Sequence, residues 1–282
     1  MNEEFDLEER AKSSPADTAN SIKMQWNTPA FDGKVLLLVE HEADRLCYFK
    51  LFDHNHVEIR TTCGCNSMKR LFDAIQQTGV PNFAIQDSDF ARVCGRVPAE
   101  ANYFLTDKHD HEMMCLSDSE IIKAVFENMA MAYDAAMVDE VFDDLAILSQ
   151  FKWYNYHHHL NVNFKGYKPR GKAKADLRSF AAIYGIVRPQ SPKCNVAITE
   201  ADIFAFVRSH PMYDRTEITN GHDFLDVLSQ YMGAACQKPC LSKEALRPII
   251  YANFTKERFA RTQLYQNICT WAGERASTLI AA

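Results

Sequence analysis

The sequence predicts an α/β fold: a parallel sheet flanked by helices, followed by a mostly helical C-terminal domain. Three observations predict it. The run Val35-Leu36-Leu37-Leu38-Val39 is apolar without alternation, as in a strand covered on both faces. Short apolar runs then alternate with helical periodicity as far as Leu105, the rhythm of a parallel sheet. Beyond about Leu116 only helical periodicity remains.

The elements follow in order. Residues 1–30 carry the polar run Lys12 to Thr18 and read as a flexible N-terminal arm. Val35–Val39 is the first strand, and Leu46, Phe49 and Leu51 or Phe52 place a helix over Ala43–Phe52. Val57–Thr61 is the second strand. Asn66 or Ser67 would cap a helix that Gly79 and Pro81 stop. Phe83-Ala84-Ile85 and Asn102-Tyr103-Phe104-Leu105 are the third and fourth strands. These elements make an α/β domain over residues 31–117 and leave residues 118–282 as a mostly helical basic domain. In the latter, helical periodicity runs over Ile121–Tyr133, Val138–Trp153, Ala201–Val207, Phe224–Met232, Ala245–Ala252 and Phe259–Ala272.

Composition narrows the function. The chain has 282 residues, 47% hydrophobic and 24% charged, which excludes collagen, a long coiled coil and wholesale disorder. No apolar stretch approaches a membrane span, and the acidic start Met1–Arg10 lacks the layout of a secretory signal. The nine cysteines form no CxxC pair and read as reduced thiols, so a cytoplasmic location is expected. Charge is split: residues 1–150 carry 13 Lys and Arg against 27 Asp and Glu, and residues 151–282 carry 18 against 10. An acidic half suited to a cation beside a basic half suited to a polyanion is the sharper reading of that split.

Acidic residues fall at strand ends. Glu40 follows the first strand, Asp87 and Asp89 follow the third, and Asp110 and Glu112 come soon after the fourth. Carboxylates gathered at one sheet edge repel one another, and a hard divalent cation relieves them. In the basic half, Lys165, Lys168, Arg170, Lys172, Lys174 and Arg178 share a short tract with Phe164 and Tyr167. Such a tract neutralises phosphates and offers rings to unpaired bases, or is a solvated loop. The run His157-His158-His159 and the set Cys63, Cys65, His109, His111 and Cys115 lack the spacing of metal sites. Trp153 and Trp271 read as core, and His222 as a hydrogen-bonding residue of the helical domain. No Gly-x-x-x-x-Gly-Lys-Ser/Thr loop is present, so ATP hydrolysis is not expected of this chain.

The segments Leu37-Leu38-Val39-Glu40-His41-Glu42-Ala43-Asp44 and Phe83-Ala84-Ile85-Gln86-Asp87-Ser88-Asp89-Phe90 resemble the Toprim pattern of a Glu after the first strand and Asp-x-Asp after the third. The chain is most similar to Toprim-like domains of prokaryotic anti-phage loci, such as the nuclease effector of PARIS systems, and more remotely to OLD-family nucleases. Thr106-Asp107 through Glu112, Gly221-His222-Asp223 and the aromatic segment Phe259–Trp271 match further family elements, so the resemblance spans about residues 34–273. The sequence departs from the family at His41, where a Gly is usual.

The resemblance implies a Toprim-like sheet and a metal-dependent nuclease effector of anti-phage defence. Glu40, Asp87 and Asp89 would be its catalytic and metal residues, Glu112 a weaker metal ligand, and Asp44 and His222 supporting residues. Mg²⁺ or Mn²⁺ is the implied cofactor. The implied substrate is RNA such as tRNA, with DNA as the second option, and Lys165, Lys168, Arg170 and Lys172 are the expected substrate contacts. The implied partners are a separate ABC-type ATPase and a phage-encoded trigger, with a homodimer left open and no membrane. The alternative is a non-catalytic Toprim-like module that binds or assembles with the ATPase.

Overall fold

The computed structural model describes residues 14–62, 64–238 and 241–280. Its strands are β1 Val35–Val39, β2 Val57–Thr61, β3 Asn82–Gln86 and β4 Tyr103–Leu105. They form one sheet in the order β2-β1-β3-β4, and every pair is parallel. The helices are α1 Pro15–Trp26, α2 Glu42–Phe49, α3 Cys65–Gln76, α4 His111–Leu116, α5 Ser119–Asn128, α6 Ala135–His158, α7 Lys174–Leu177 and α8 Phe180–Val187. They continue with α9 Glu200–Ser209, α10 Arg215–Ile218, α11 Gly221–Ala235, α12 Lys243–Asn253, α13 Lys256–Phe259, α14 Gln263–Ala272 and α15 Ala276–Leu279. An N-terminal parallel sheet flanked by helices is thus followed by a mostly helical C-terminal region.

The chain divides into two compact units. The first holds the residues up to Asp87, Val97–Asp107 and the segment from Phe254 onward; the second holds Ser88–Arg96 and Lys108–Asn253.

In the first unit the sheet is covered on both faces, which is why β1 is apolar throughout. Leu36, Leu38, Ala84 and Tyr103 pack with Ala19 and Ile22 of α1 and with Met68, Leu71, Phe72 and Ile75 of α3. Strand residues alternate sides, so the neighbouring positions serve the other face. There Phe83 lies 5.2 Å and Phe104 6.1 Å from the Trp271 ring, and Phe52 lies 5.6 Å from Phe83 and 5.9 Å from Phe259. The C-terminal segment therefore returns to close the sheet. Asp107, just past β4, holds it by accepting the backbone N–H groups of Gln263 (2.6 Å) and Leu264 (2.9 Å) at the start of α14.

Three local expectations differ. The arm expected over residues 1–30 contains α1, whose Ala19 and Ile22 are buried in the core; residues 1–13 lie outside the described residues. Ser14 caps α1, and Pro15 sits at its first position, where its missing N–H costs nothing. The helix after β2 starts after Gly64, ahead of Asn66 and Ser67. The helix expected over Phe259–Ala272 is two helices, because the Thr262 hydroxyl accepts the Tyr265 N–H (3.1 Å) and starts α14 anew.

In the second unit Trp153 of the long helix α6 is buried with Phe90, Phe206 and Ile218, as expected of a core residue. Phe142 of α6 meets Phe224 of α11 at 4.7 Å between ring centroids. No helix among the described residues is long and apolar enough to cross a membrane. Cys47, Cys94, Cys115, Cys194, Cys236 and Cys269 carry free thiols; Cys63 lies outside the described residues.

Candidate functional site

The strand order creates a crevice. β1 lies between β2 and β3, and β3 between β1 and β4. The chain leaves β1 towards β2 on one side and leaves β3 towards β4 on the other. Connections diverging from neighbouring parallel strands open a crevice at their carboxyl ends, where ligands of such sheets bind. Glu40 follows β1 and Asp87 follows β3. The register Leu38↔Ala84 sets residue 40 level with residue 86.

Asp44 joins Asp87 there. It stands in the first turn of α2, and its Oδ2 accepts the backbone N–H of His41 at 2.7 Å. That bond fixes its rotamer and satisfies one donor at the helix start. One carboxylate oxygen of Asp44 and one of Asp87 lie within 4.8 Å of each other. Asp44 and Glu40 are buried, and Asp87 is half-buried. The pair could hold a metal ion.

The departure at His41 has no backbone cost. His41 has φ −138° and ψ 167°, an extended conformation open to any residue. Glycine is not needed to make this turn.

The second unit holds Asp89 and Glu112. Asp89 adopts φ +45°, a left-handed conformation that aspartate tolerates, and its N–H donates to the His109 carbonyl at 2.6 Å. Burial pushes the Asp89 carboxyl up; His109 and Lys152 pull it down and Asp110 adds to the rise.

Glu112 is enclosed by basic groups. Its Oε1 lies 3.0 Å from Nε of Arg247 and 3.1 Å from Nε2 of His222, and its Oε2 lies 3.4 Å from Nδ1 of His111. Burial opposes its charge, but His111, His222 and Arg247 together hold its carboxyl well below the usual range. Asp110 is equally committed. It caps α4 through the Met113 N–H (2.8 Å), accepts the Gly221 N–H (2.6 Å) and meets His109 Nδ1 at 3.1 Å.

These bonds explain the Gly-His-Asp element. A Cβ on Gly221 would stand 2.5 Å from Asp110 Oδ1 and 2.6 Å from the Glu112 Cβ. Only glycine lets the start of α11 come this close to α4. His222 reaches Glu112, and Asp223 pairs with Lys152. His222 thus pairs with Glu112, which lies outside the helical domain expected over residues 118–282.

The basic tract is partly consumed. Lys174 pairs with Glu140, and Arg178 Nε reaches the buried Asp144 at 2.5 Å. Arg170 donates to the Leu241 carbonyl (2.8 Å), and the backbone N–H of Gly171 donates to Gln230 (2.8 Å). Lys172 lies 5.9 Å from the centroid of the Tyr167 ring. Lys165 and Lys168 are exposed and have no ion pair among the described residues. Tyr167, expected as a stacking platform, is a correction: it is buried, and burial pushes its hydroxyl up to about 12. Val162, Pro169 and Leu177 are buried around the same tract, so the ring serves packing. The run His157-His158-His159 closes α6: the His157 ring lies 4.9 Å from Phe206, and its Nδ1 lies 3.7 Å from Cys94 Sγ.

Sequence reasoning placed Asp44 only as a supporting residue and did not find Asp110, His111 or Arg247 as partners of the Gly-His-Asp element. Asp44 had a signal: it is the third residue of a helix that starts straight after a strand and an acidic residue. Arg247 had none, because 135 residues separate it from Glu112.

No protein-family model, no curated protein and no solved structure matches the chain.

Proposed function

We propose that the chain is a metal-dependent phosphodiesterase acting on nucleic acid, with Mg²⁺ or Mn²⁺ held by Asp44 and Asp87 at the carboxyl edge of a Toprim-like sheet. The observation that carries this reading is the approach of the two carboxylates to within 4.8 Å in the crevice between β1 and β3. When bound, the cation supplies positive charge for the phosphate and lowers the pKa of an attacking water. Glu40, buried at the end of β1, orients that water and takes its proton. The His41 N–H keeps Asp44 in one rotamer. In this reading Glu112 and His222 anchor α11 to α4 and touch no substrate. Lys165 and Lys168 contact phosphates.

The sequence resemblance directs the substrate to RNA such as tRNA, with DNA as the second class. It also directs the partner to a separate ABC-type ATPase that restrains the nuclease until a phage-encoded trigger releases it. The test is cleavage of end-labelled tRNA and of duplex DNA by the purified chain, with and without the ATPase, in Mg²⁺ and in EDTA. Metal-dependent products that disappear with Asp87→Asn support the reading. Equal products from both proteins contradict it.

One observation favours the second reading, a non-catalytic assembly module: the Asp44 carboxylate already serves as a helix cap. Under that reading Asp44→Asn lowers the melting temperature and changes neither metal binding nor cleavage.

A further inference from the structure

The first unit contains a cavity of about 490 Å³ at the end of the sheet opposite the carboxylates. Val35, the first residue of β1, and Pro81, just before β3, line it. Lys23, Lys34 and Arg275 reach it from α1, from the start of β1 and from the C-terminal segment. Lys23 and Arg275 are exposed, Lys34 is half-buried, and none of the three has an ion pair among the described residues. Among the described residues Asp32 is the one carboxylate in the lining, so the cavity carries a formal excess of two positive charges.

One wall is aromatic and rigid. Trp26 and Phe31 stack with centroids 4.8 Å apart and 29° between planes. The Arg60 guanidinium lies 5.7 Å from the first ring and 5.6 Å from the second, and the Trp26 indole N–H donates to the Lys34 carbonyl at 3.1 Å. These contacts hold the wall in place before any ligand arrives. Both rings also line the cavity.

We infer that this cavity binds a free 5′-mononucleotide, its phosphate among Lys23, Lys34 and Arg275 and its base against the Trp26–Phe31 wall. The charge matches: a phosphomonoester carries about −1.5 to −2 at pH 7, against the excess of two positive charges. Arginine forks and lysine point charges are the usual phosphate partners. Nucleobases stack on aromatic rings whatever their sequence. The volume lies within the range of small-ligand pockets, about 300–1,000 Å³. The site uses none of the residues of the proposed metal pair and goes beyond that reading.

The test is calorimetric titration of the full chain at low salt in EDTA with adenosine 5′-monophosphate, adenosine and inorganic phosphate. The nucleotide is expected to bind saturably and at least about tenfold more tightly than adenosine or phosphate, because only it engages both walls. Lys23→Glu and Arg275→Glu, both at exposed positions, are expected each to weaken it by about tenfold or more, and Arg275→Lys to retain most of the affinity. Melting curves of the variants show whether the fold is kept, and Asp87→Asn is expected to bind the nucleotide like the wild type. Absence of saturable nucleotide binding overturns the inference. So does equal binding of phosphate alone, binding unchanged by both charge reversals in folded variants, or binding of a 5′-phosphorylated oligonucleotide but not of the mononucleotide.

Discussion

Asp87 in the first unit directly follows β3, and Glu112 in the second stands in α4, the helix after β4; the sequence resemblance implied a catalytic and metal residue at the first and a weaker metal ligand at the second. Their surroundings differ. Asp87 has a second carboxylate, Asp44, within 4.8 Å. Glu112 has Arg247 and His222 within 3.1 Å and His111 at 3.4 Å. A carboxylate beside another carboxylate gains by adding a cation from solution. A carboxylate already enclosed by basic groups has its charge answered and holds the fold together. Acidic residues near strand ends are therefore site or anchor according to the sign of their neighbours, and the sequence position alone does not distinguish them.

The sharpest way to break this comparison is to neutralise each side. Asp87→Asn is expected to lower divalent-metal affinity by more than about 100-fold, since even the outer partners of metal ligands are worth about 10–100-fold. Its melting temperature is expected to stay near that of the wild type. A large drop in melting temperature would show that Asp87 is an anchor too.

The reverse outcome is expected at Glu112. Arg247→Met leaves a buried carboxylate short of its closest cation, at a cost of about 3–5 kcal/mol, and metal affinity is expected to stay unchanged. Urea unfolding followed by circular dichroism measures the first and calorimetry the second. Gly221→Ala probes the same junction more gently. Its Cβ would stand 2.5 Å from Asp110 Oδ1, so α11 must shift outward, at about 1–3 kcal/mol.

Glu112 also sets a pH signature. Its folded carboxyl lies below the ordinary 4.5, held there against burial by His111, His222 and Arg247. Between that value and its folded one the unfolded chain binds more protons than the folded chain, so stability rises with pH in this window. The contribution is fully present above pH 4.5 and is lost as the pH falls further. Glu112→Gln is expected to flatten the acid limb of the stability curve.

The smallest effect concerns Tyr167. Its buried hydroxyl has no hydrogen-bond partner among the described residues, so Tyr167→Phe is expected to be neutral or to stabilise, by up to about 1 kcal/mol. In the wild type its phenol is expected to ionise near pH 12 in a spectrophotometric alkaline titration. Loss of nucleic-acid binding in Tyr167→Phe would restore the ring to a substrate role.

Much of the first unit was legible in the sequence because its signals are local. Val35–Val39 could only be a central strand, and the apolar runs near Val57, Phe83 and Tyr103 fall in the strands of the structure. Legibility failed where a distant contact decides the outcome. Nothing in Pro15–Trp26 announces that Ala19 and Ile22 are covered by α3, since the segment is polar on its other faces. Nothing near Glu112 announces Arg247 or His222. Tyr167 sits in a basic tract and reads as a substrate residue, until the neighbouring buried residues show that the loop packs inward. Strands and caps are written in short spans, whereas the sign of a buried charge's neighbours is written across the whole chain.

The most direct test of the distinction is Mn²⁺ titration, by electron paramagnetic resonance, of the wild type, Asp44→Asn, Asp87→Asn and His222→Ala. The account predicts one saturable site in the wild type and in His222→Ala, and its loss in both aspartate variants. Loss of the site in His222→Ala with retention in Asp87→Asn would contradict it.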